Sequence, residues 1–212
     1  MVKLSSTEEE NTEFLSSLWD RYKVLFLLGI VIFIASILGW ETWKENQSIK
    51  YQNSSDLYQS FIESLDDPDK EEEIIAKKII ETYPESLYSD LVTLHLVKLN
   101  IEQNKLEEAE KQLKWILDKQ ISKWGKDFNP IEITVRLRLA RVLISNGKPL
   151  EALEVINQSE TMNGSLYEVK GDAEELIGEF SQAKISYLKA LEETQSSSIQ
   201  GLIRMKLADL GN

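Results

Sequence analysis

From Val24 to Trp40 the chain reads VLFLLGIVIFIASILGW, 17 residues without a charged side chain. No other stretch constrains the fold as tightly. At 1.5 Å rise per residue it covers about 25 Å as a helix, slightly less than the hydrocarbon core of a bilayer. Trp19 and Tyr22 precede it and Trp40 and Trp43 lie at its far end, placing amphipathic rings where the two membrane interfaces would be. A core helix of a soluble domain seldom runs apolar on every face for this length. A cleaved signal peptide would need small residues two apart just beyond the run. The pairs present are Ala35 with Ile37, Ser36 with Leu38 and Gly39 with Glu41, and none of them fits. The run therefore reads as a retained transmembrane anchor. Ala35 and Gly39 also form a small-residue pair four apart, a weak signal for contact between helices in a membrane.

Orientation is weakly encoded. Arg21 and Lys23 precede the span, and Lys44 and Lys50 follow it. The count is equal, but Arg21 and Lys23 stand closer to the apolar edge, which tips the N-terminus toward the cytoplasm.

Composition removes most chemistry. The chain has 36 acidic and 24 basic residues, a net charge of −12, which argues against a protein that grips nucleic acid. The absence of cysteine excludes thiol catalysis, zinc ribbons, iron–sulfur clusters and disulfides. A single histidine, His95, excludes histidine-based triads and multi-histidine metal sites. It lies among leucines and reads as a packed or rim side chain. Asp66, Asp67 and Asp69 lack the alternation and distal glutamate of a calcium loop, and Pro68 stands where a ligand would be. Gly147-Lys148 is followed by proline, so it is not a phosphate loop. No cofactor or metal is expected.

Beyond the span the pattern is helical throughout. Residues 1–23 form a polar tail, 24–40 the span and 41–85 membrane-proximal helices. The segment 41–65 is predicted to extend the membrane helix, with Ile49, Leu57, Tyr58, Phe61, Ile62 and Leu65 on one side. A shorter helix follows over about 69–82, carrying a Glu73–Lys77 pair four apart.

Residues 86–212 contain an internal repeat. NKLEEAEKQL from Asn104, GKPLEALEVI from Gly147 and GEFSQAKISYLKAL from Gly178 align without gaps. Each begins with a residue suited to the left-handed turn that ends a helix. A bulky or ring residue follows (Leu106, Pro149, Phe180), then an alanine (Ala109, Ala152, Ala183), and four residues later Leu113, Ile156 or Tyr187. Twelve positions before the alanines stand Val97, Ala140 and Gly171. An alanine at a helix crossing lets two axes approach, while the larger residue one turn on fills the space beside it. The alanines are 43 and 31 residues apart, which a helix-turn-helix repeat of about 34 residues accommodates with an insertion near 122–130. A last helix around 198–210, with Leu202, Ile203, Met205 and Leu207, reads as a cap. The expected fold is all-α: one transmembrane helix, then a right-handed tetratricopeptide-like array.

The span ending Gly39-Trp40-Glu41-Thr42-Trp43, followed by a repeat domain of this size, resembles the YfgM family. VRLRLARVLISNGKPLEALEVI (135–156) and LYEVKGDAEELIGEFSQAKISYLKAL (166–191) look like that family's successive repeats. The resemblance covers nearly the whole chain. It departs where a proline often closes a repeat unit, since Ile121 and Gly164 stand there.

The resemblance implies a non-enzymatic ancillary subunit of the SecYEG translocon. It implies an inner-membrane anchor, a periplasmic helical domain, partnership with the prolyl isomerase PpiD, and emerging polypeptides as clients. An envelope scaffold for cell division or wall synthesis is the alternative. Counting from the alanines, the first helices of the units should present Leu94 and Lys98, then Leu137 and Arg141, then Asp172 and Glu175 to a partner. Their ordinary role would be that of solvated helix side chains. The anchor reading gives a direct expectation: intact mass of protein extracted from membranes retains residues 1–40. A mass lacking that segment would remove the anchor.

Overall fold

The computed structural model describes residues 6–65, 72–124 and 130–210. Among these there are nine α-helices and no strand: α1 (Ser6–Leu65), α2 (Glu72–Thr82), α3 (Leu87–Glu102), α4 (Leu106–Trp124), α5 (Pro130–Ser145), α6 (Pro149–Asn157), α7 (Gly164–Leu176), α8 (Phe180–Glu193) and α9 (Ser197–Asp209). The aspartates of the 66–69 segment lie outside the described residues. The chain divides into two compact units, Met1–Asp56 and Leu57–Asn212.

The described residues of the first unit form part of a single helix, α1. Its apolar side chains from Val24 to Trp40 are exposed all round, and it is long and apolar enough to cross a membrane. The hydroxyls of Ser36 and Thr42, in and just beyond the apolar run, are satisfied from within, as a lipid setting requires. Ser36 donates to the Ile32 carbonyl at 2.8 Å, and Thr42 to the Leu38 carbonyl at 3.0 Å. The Trp40 and Trp43 rings lie 5.3 Å apart at the end of the apolar run.

In the second unit the end of α1 packs with α2 and α3 around Phe61, Ala76, Ile79, Val92 and Leu96. Tyr58 meets Tyr88 with ring centroids 4.9 Å apart. His95 stands edge-on to Phe61 at 5.3 Å, with Nε2 3.7 Å from Glu72. It is a packed histidine, as expected. The apolar side predicted for 41–65 is narrower than its pattern suggested. Leu57, Tyr58 and Phe61 pack, whereas Ile49, Ile62 and Leu65 are exposed. Ile62 follows Phe61 by about 100° of helix rotation, which carries it off the buried stripe.

The repeat is built as its spacing predicts. Asn104, Gly147 and Gly178 have φ of 58°, 73° and 83°, the positive values among the described residues. At each turn the next residue's N–H reaches back five positions. Lys105 bonds Asn100 at 2.7 Å, Lys148 bonds Leu143 at 2.8 Å, and Glu179 bonds Glu174 at 2.8 Å. This is the Schellman closure of a helix. The carbonyls of those same residues then open the following helices, accepting from the N–H of Ala109, Ala152 and Ala183 at 3.0–3.1 Å. All three alanines are fully buried, as are Leu113, Ile156 and Tyr187 one turn later. Phe180, in the bulky position of the last repeat, is exposed.

One continuous core runs from α3 through α7, including Val97, Leu113, Leu139, Leu143, Ile156 and Val169. Buried polar groups tie neighbouring helices. Arg136 bonds Glu132 at 2.7 Å on its own helix and the Val155 carbonyl of α6 at 2.8 Å. On α4, Lys119 pairs with Asp90 and Gln120 donates to the same carboxylate at 2.7 Å. Where repeat-closing prolines are missing, α4 runs on through Ile121, and Gly164 begins α7 behind an Asn163 cap. A Cβ on Gly164 would come within 3.1 Å of the Ala190 carbonyl, so its bare backbone suits the approach of α8.

The last hairpin and α9 enclose Ala183, Tyr187, Ala190 and Ile203. Here α9 differs from the full cap expected. Ile203 is buried and Leu207 packs, while Leu202 and Met205 are exposed, Met205 at 66%. The stripe 199, 203, 207, 210 turns inward on one face, which leaves 202 and 205 outside it.

Among the described glycines, Gly171 leaves the least room for a side chain. A Cβ there would lie 2.5 Å from Cε1 and 2.6 Å from Cδ1 of Tyr187, whose hydroxyl is itself held. We expect Gly171→Ala to destabilise the fold by about 1–3 kcal/mol through overpacking. Gly201, with nothing within 4 Å of its would-be Cβ, should tolerate alanine and gain about 0.5–1 kcal/mol in helix propensity. Urea unfolding midpoints of the two variants check both; equal shifts would contradict the packing.

Candidate partner-binding face

The helices α3, α5 and α7 open the three hairpins, and they carry all six side chains that the sequence picks out. The structure sorts those six into three places. At the α3–α5 end, Leu94 and Lys98 line an open groove of about 530 Å³ with Leu91, His95, Val97, Ile101, Glu102 and Arg138. Leu91 and Ile101 are exposed within it, and Val97 forms its buried base. Lys98 is a solvated side chain, 67% exposed, with Glu102 one turn along at 3.7 Å. Leu137 packs against the core rather than lining the groove.

The other three side chains meet in a charged network between α5, α7, α8 and α9. Arg141 lies 3.1 Å from Glu168. Lys206, on α9, reaches Glu168 at 2.8 Å and both oxygens of Asp172 at 2.6 and 2.8 Å. The Tyr187 hydroxyl stands 2.7 Å from Asp172 and 2.8 Å from Glu175, its one proton shared between two carboxylates. Burial raises the Tyr187 pKa, and the two carboxylates raise it further by holding the proton. Burial opposes the charge on Lys206, but hydrogen bonds to Asp172 and Glu168 outweigh it and push its pKa up. The acidic part of the face is thus answered from within the array.

A second charged cluster fastens α4 to the turn before α6. Glu110 accepts from Lys114 at 2.7 Å, Lys148 at 2.9 Å and Asn146 at 3.2 Å. Burial disfavours its charged form, yet those bonds prevail and hold the carboxyl at about 2, against an ordinary 4.5. Among the described residues no three His, Asp or Glu side chains are placed to hold a metal.

Reading the sequence from the alanines outward missed Arg138, Glu168 and Lys206. Arg138 was detectable, since Leu91, Leu94, Lys98 and Ile101 repeat at three-and-four spacing and point α3 toward α5. Lys206 was hidden because the last helix was weighed by its apolar residues alone.

A model of the tetratricopeptide repeat-like domain family matches residues 16–212. The chain belongs to this family. An ancillary SecYEG translocon subunit of Neisseria gonorrhoeae (strain ATCC 700825 / FA 1090) is 26% identical to it over 193 residues, 89% of each chain. With the apolar span and the turn-plus-alanine hairpins, these matches bear out the resemblance to the YfgM family. The exposed apolar stretch of α1 and this relative together support a membrane-anchored protein.

The network assigns Lys206 a structural task. Lys206→Met would strip Asp172 of its cation and leave Glu168 with Arg141 alone, and should destabilise the last hairpin by about 2 kcal/mol. Lys98→Met, on a solvated face, should fall within about 0.5 kcal/mol of the parent. Urea midpoints test the contrast, and hydrogen exchange of the α9 amides should quicken in the Lys206 variant alone.

Proposed function

We propose that the chain is a membrane-anchored, non-enzymatic ancillary subunit of a SecYEG-type translocon. Its helical array stands on the periplasmic side of the inner membrane and scaffolds or chaperones emerging polypeptides beside the prolyl isomerase PpiD. The observation that carries this reading is the relative named as a translocon subunit, matched over 89% of both chains, so that the match takes in the span and the array of this chain. Arg21 and Lys23, closest to the apolar edge, favour a cytoplasmic N-terminus and hence a periplasmic array.

The mechanism is one of geometry and needs no covalent step. A single span confines the array to the membrane plane, where a tethered partner is present at an effective concentration of the order of millimolar. The groove between α3 and α5 offers apolar side chains to a passing segment, and rigid hairpins hold that groove in shape.

Full-length protein extracted in mild detergent should co-purify with SecYEG components and PpiD, identified by mass spectrometry. Recovery of cell-division or wall-synthesis proteins in their place would favour an envelope scaffold and displace the proposal.

A further inference from the structure

Polar groups along the first-helix face are unequally satisfied. Glu168, Asp172 and Glu175 on α7 are met by Arg141, Lys206 and the Tyr187 hydroxyl. The cations of the α3–α5 groove have no such internal answer of comparable strength. Lys98 faces Glu102 across a solvated 3.7 Å contact, which contributes little and is readily exchanged. Arg138 is exposed on the opposite wall. His95, in the lining, has Glu72 as its charged neighbour on α2 and Phe61 on α1. Between these polar groups the groove is apolar, through Leu91, Leu94, Val97 and Ile101.

Shape narrows the ligand. The α3 lining runs from Leu91 to Glu102, about 16 Å at 1.5 Å per residue, and the groove is open along it. That length suits a stretch of polypeptide better than a compact small molecule. Charge narrows it further. On a chain of net charge −12, a lining with two cations, Lys98 and Arg138, against the single carboxylate of Glu102 is a local exception that favours carboxylates over lysines.

We infer that the α3–α5 groove takes an acidic amphipathic polypeptide segment, its apolar side chains seated over Leu91, Leu94 and Ile101 and its carboxylates on Lys98 and Arg138. This rests on the reading that the face captures a partner, and it adds the chemistry of that partner. It keeps Lys98 as a recognition charge and puts Arg138 in place of Arg141, Asp172 and Glu175, which pair within the array.

The test uses full-length protein in zwitterionic nanodiscs and two short fluorescent peptides with the same leucine spacing, one carrying glutamates and the other lysines. Anisotropy should show the glutamate peptide binding about fivefold tighter than the lysine peptide, in line with two solvated charge pairs. The double variant Lys98→Glu, Arg138→Glu should reverse that preference, which a misfolded protein could not do. An unchanged preference in the variant would overturn the assignment. So would displacement of the glutamate peptide by phosphatidylglycerol vesicles at equal charge, which would make the cations a headgroup site. If the preference reverses but no translocon component co-purifies, the groove assignment stands and the translocon proposal falls. If the translocon co-purifies and the preference does not reverse, only the groove assignment falls.

Discussion

At each hairpin of the array one residue in the left-handed region turns the chain, and the residue after it serves two helices at once. The N–H of Lys105, Lys148 or Glu179 closes the helix behind, while its carbonyl receives the N–H of Ala109, Ala152 or Ala183 in the helix ahead. The turn therefore sets the position of the alanine to within a hydrogen bond. Because that alanine has no bulk beyond Cβ, the neighbouring helix can close onto it, and the side chain four residues later drops into the core. Turn geometry and packing are consequently one constraint. A side chain that spoiled the left-handed turn would displace the crossing, and a larger residue at the crossing would strain the turn.

With the hairpins fixed, charge placement becomes a matter of where cations can reach. The chain carries an acidic excess, and several carboxylates are nearly buried, among them Glu110, Glu168 and Glu174. Each needs a cation or a donor at short range, because a buried charge without one is costly. Glu110 takes Lys114 and Lys148; Glu168 takes Arg141 and Lys206; Glu174 takes the Ser186 hydroxyl at 2.6 Å. Most of these partners come from another helix. The polar groups thus link elements that the apolar core alone would hold less specifically, and they use up many of the basic side chains inside the unit.

This division explains what could be read from the amino acids. The left-handed preference of Gly147, Gly178 and Asn104 is local, and so is the spacing from each turn to its alanine. The hairpins, the packed His95 and the uncharged span were legible for that reason. Pairing of charges is not local. Nothing around Asp172 indicates that Lys206, 34 residues later, will cover it. Nor does the apolar content of α9 reveal that Met205 faces outward, since that depends on which stripe meets Tyr187 and Ala190. Arg138 lay between the two: its helix face could be counted from sequence, but its place in the same groove as Lys98 depends on how α4 sets α5 beside α3.

A groove of this kind has modest intrinsic affinity, and tethering changes what that affinity must be. A dissociation constant of 1 mM corresponds to only about 4 kcal/mol. Seating two aliphatic side chains over Leu91, Leu94 and Ile101 could supply about that much before the ordering of the segment is subtracted. In free solution such binding would be negligible at cellular concentrations of either partner. Confinement of a partner near the groove raises its local concentration to a similar millimolar range, so occupancy becomes substantial while release stays fast. On the proposed function, tight binding would be a disadvantage, because each segment would have to leave as the next arrives. In the proposed complex an exposed lysine and arginine beside an apolar strip would meet that requirement: they would select by charge sign and contribute little to residence time, while the strongly coupled ion pairs stay with the packed helices.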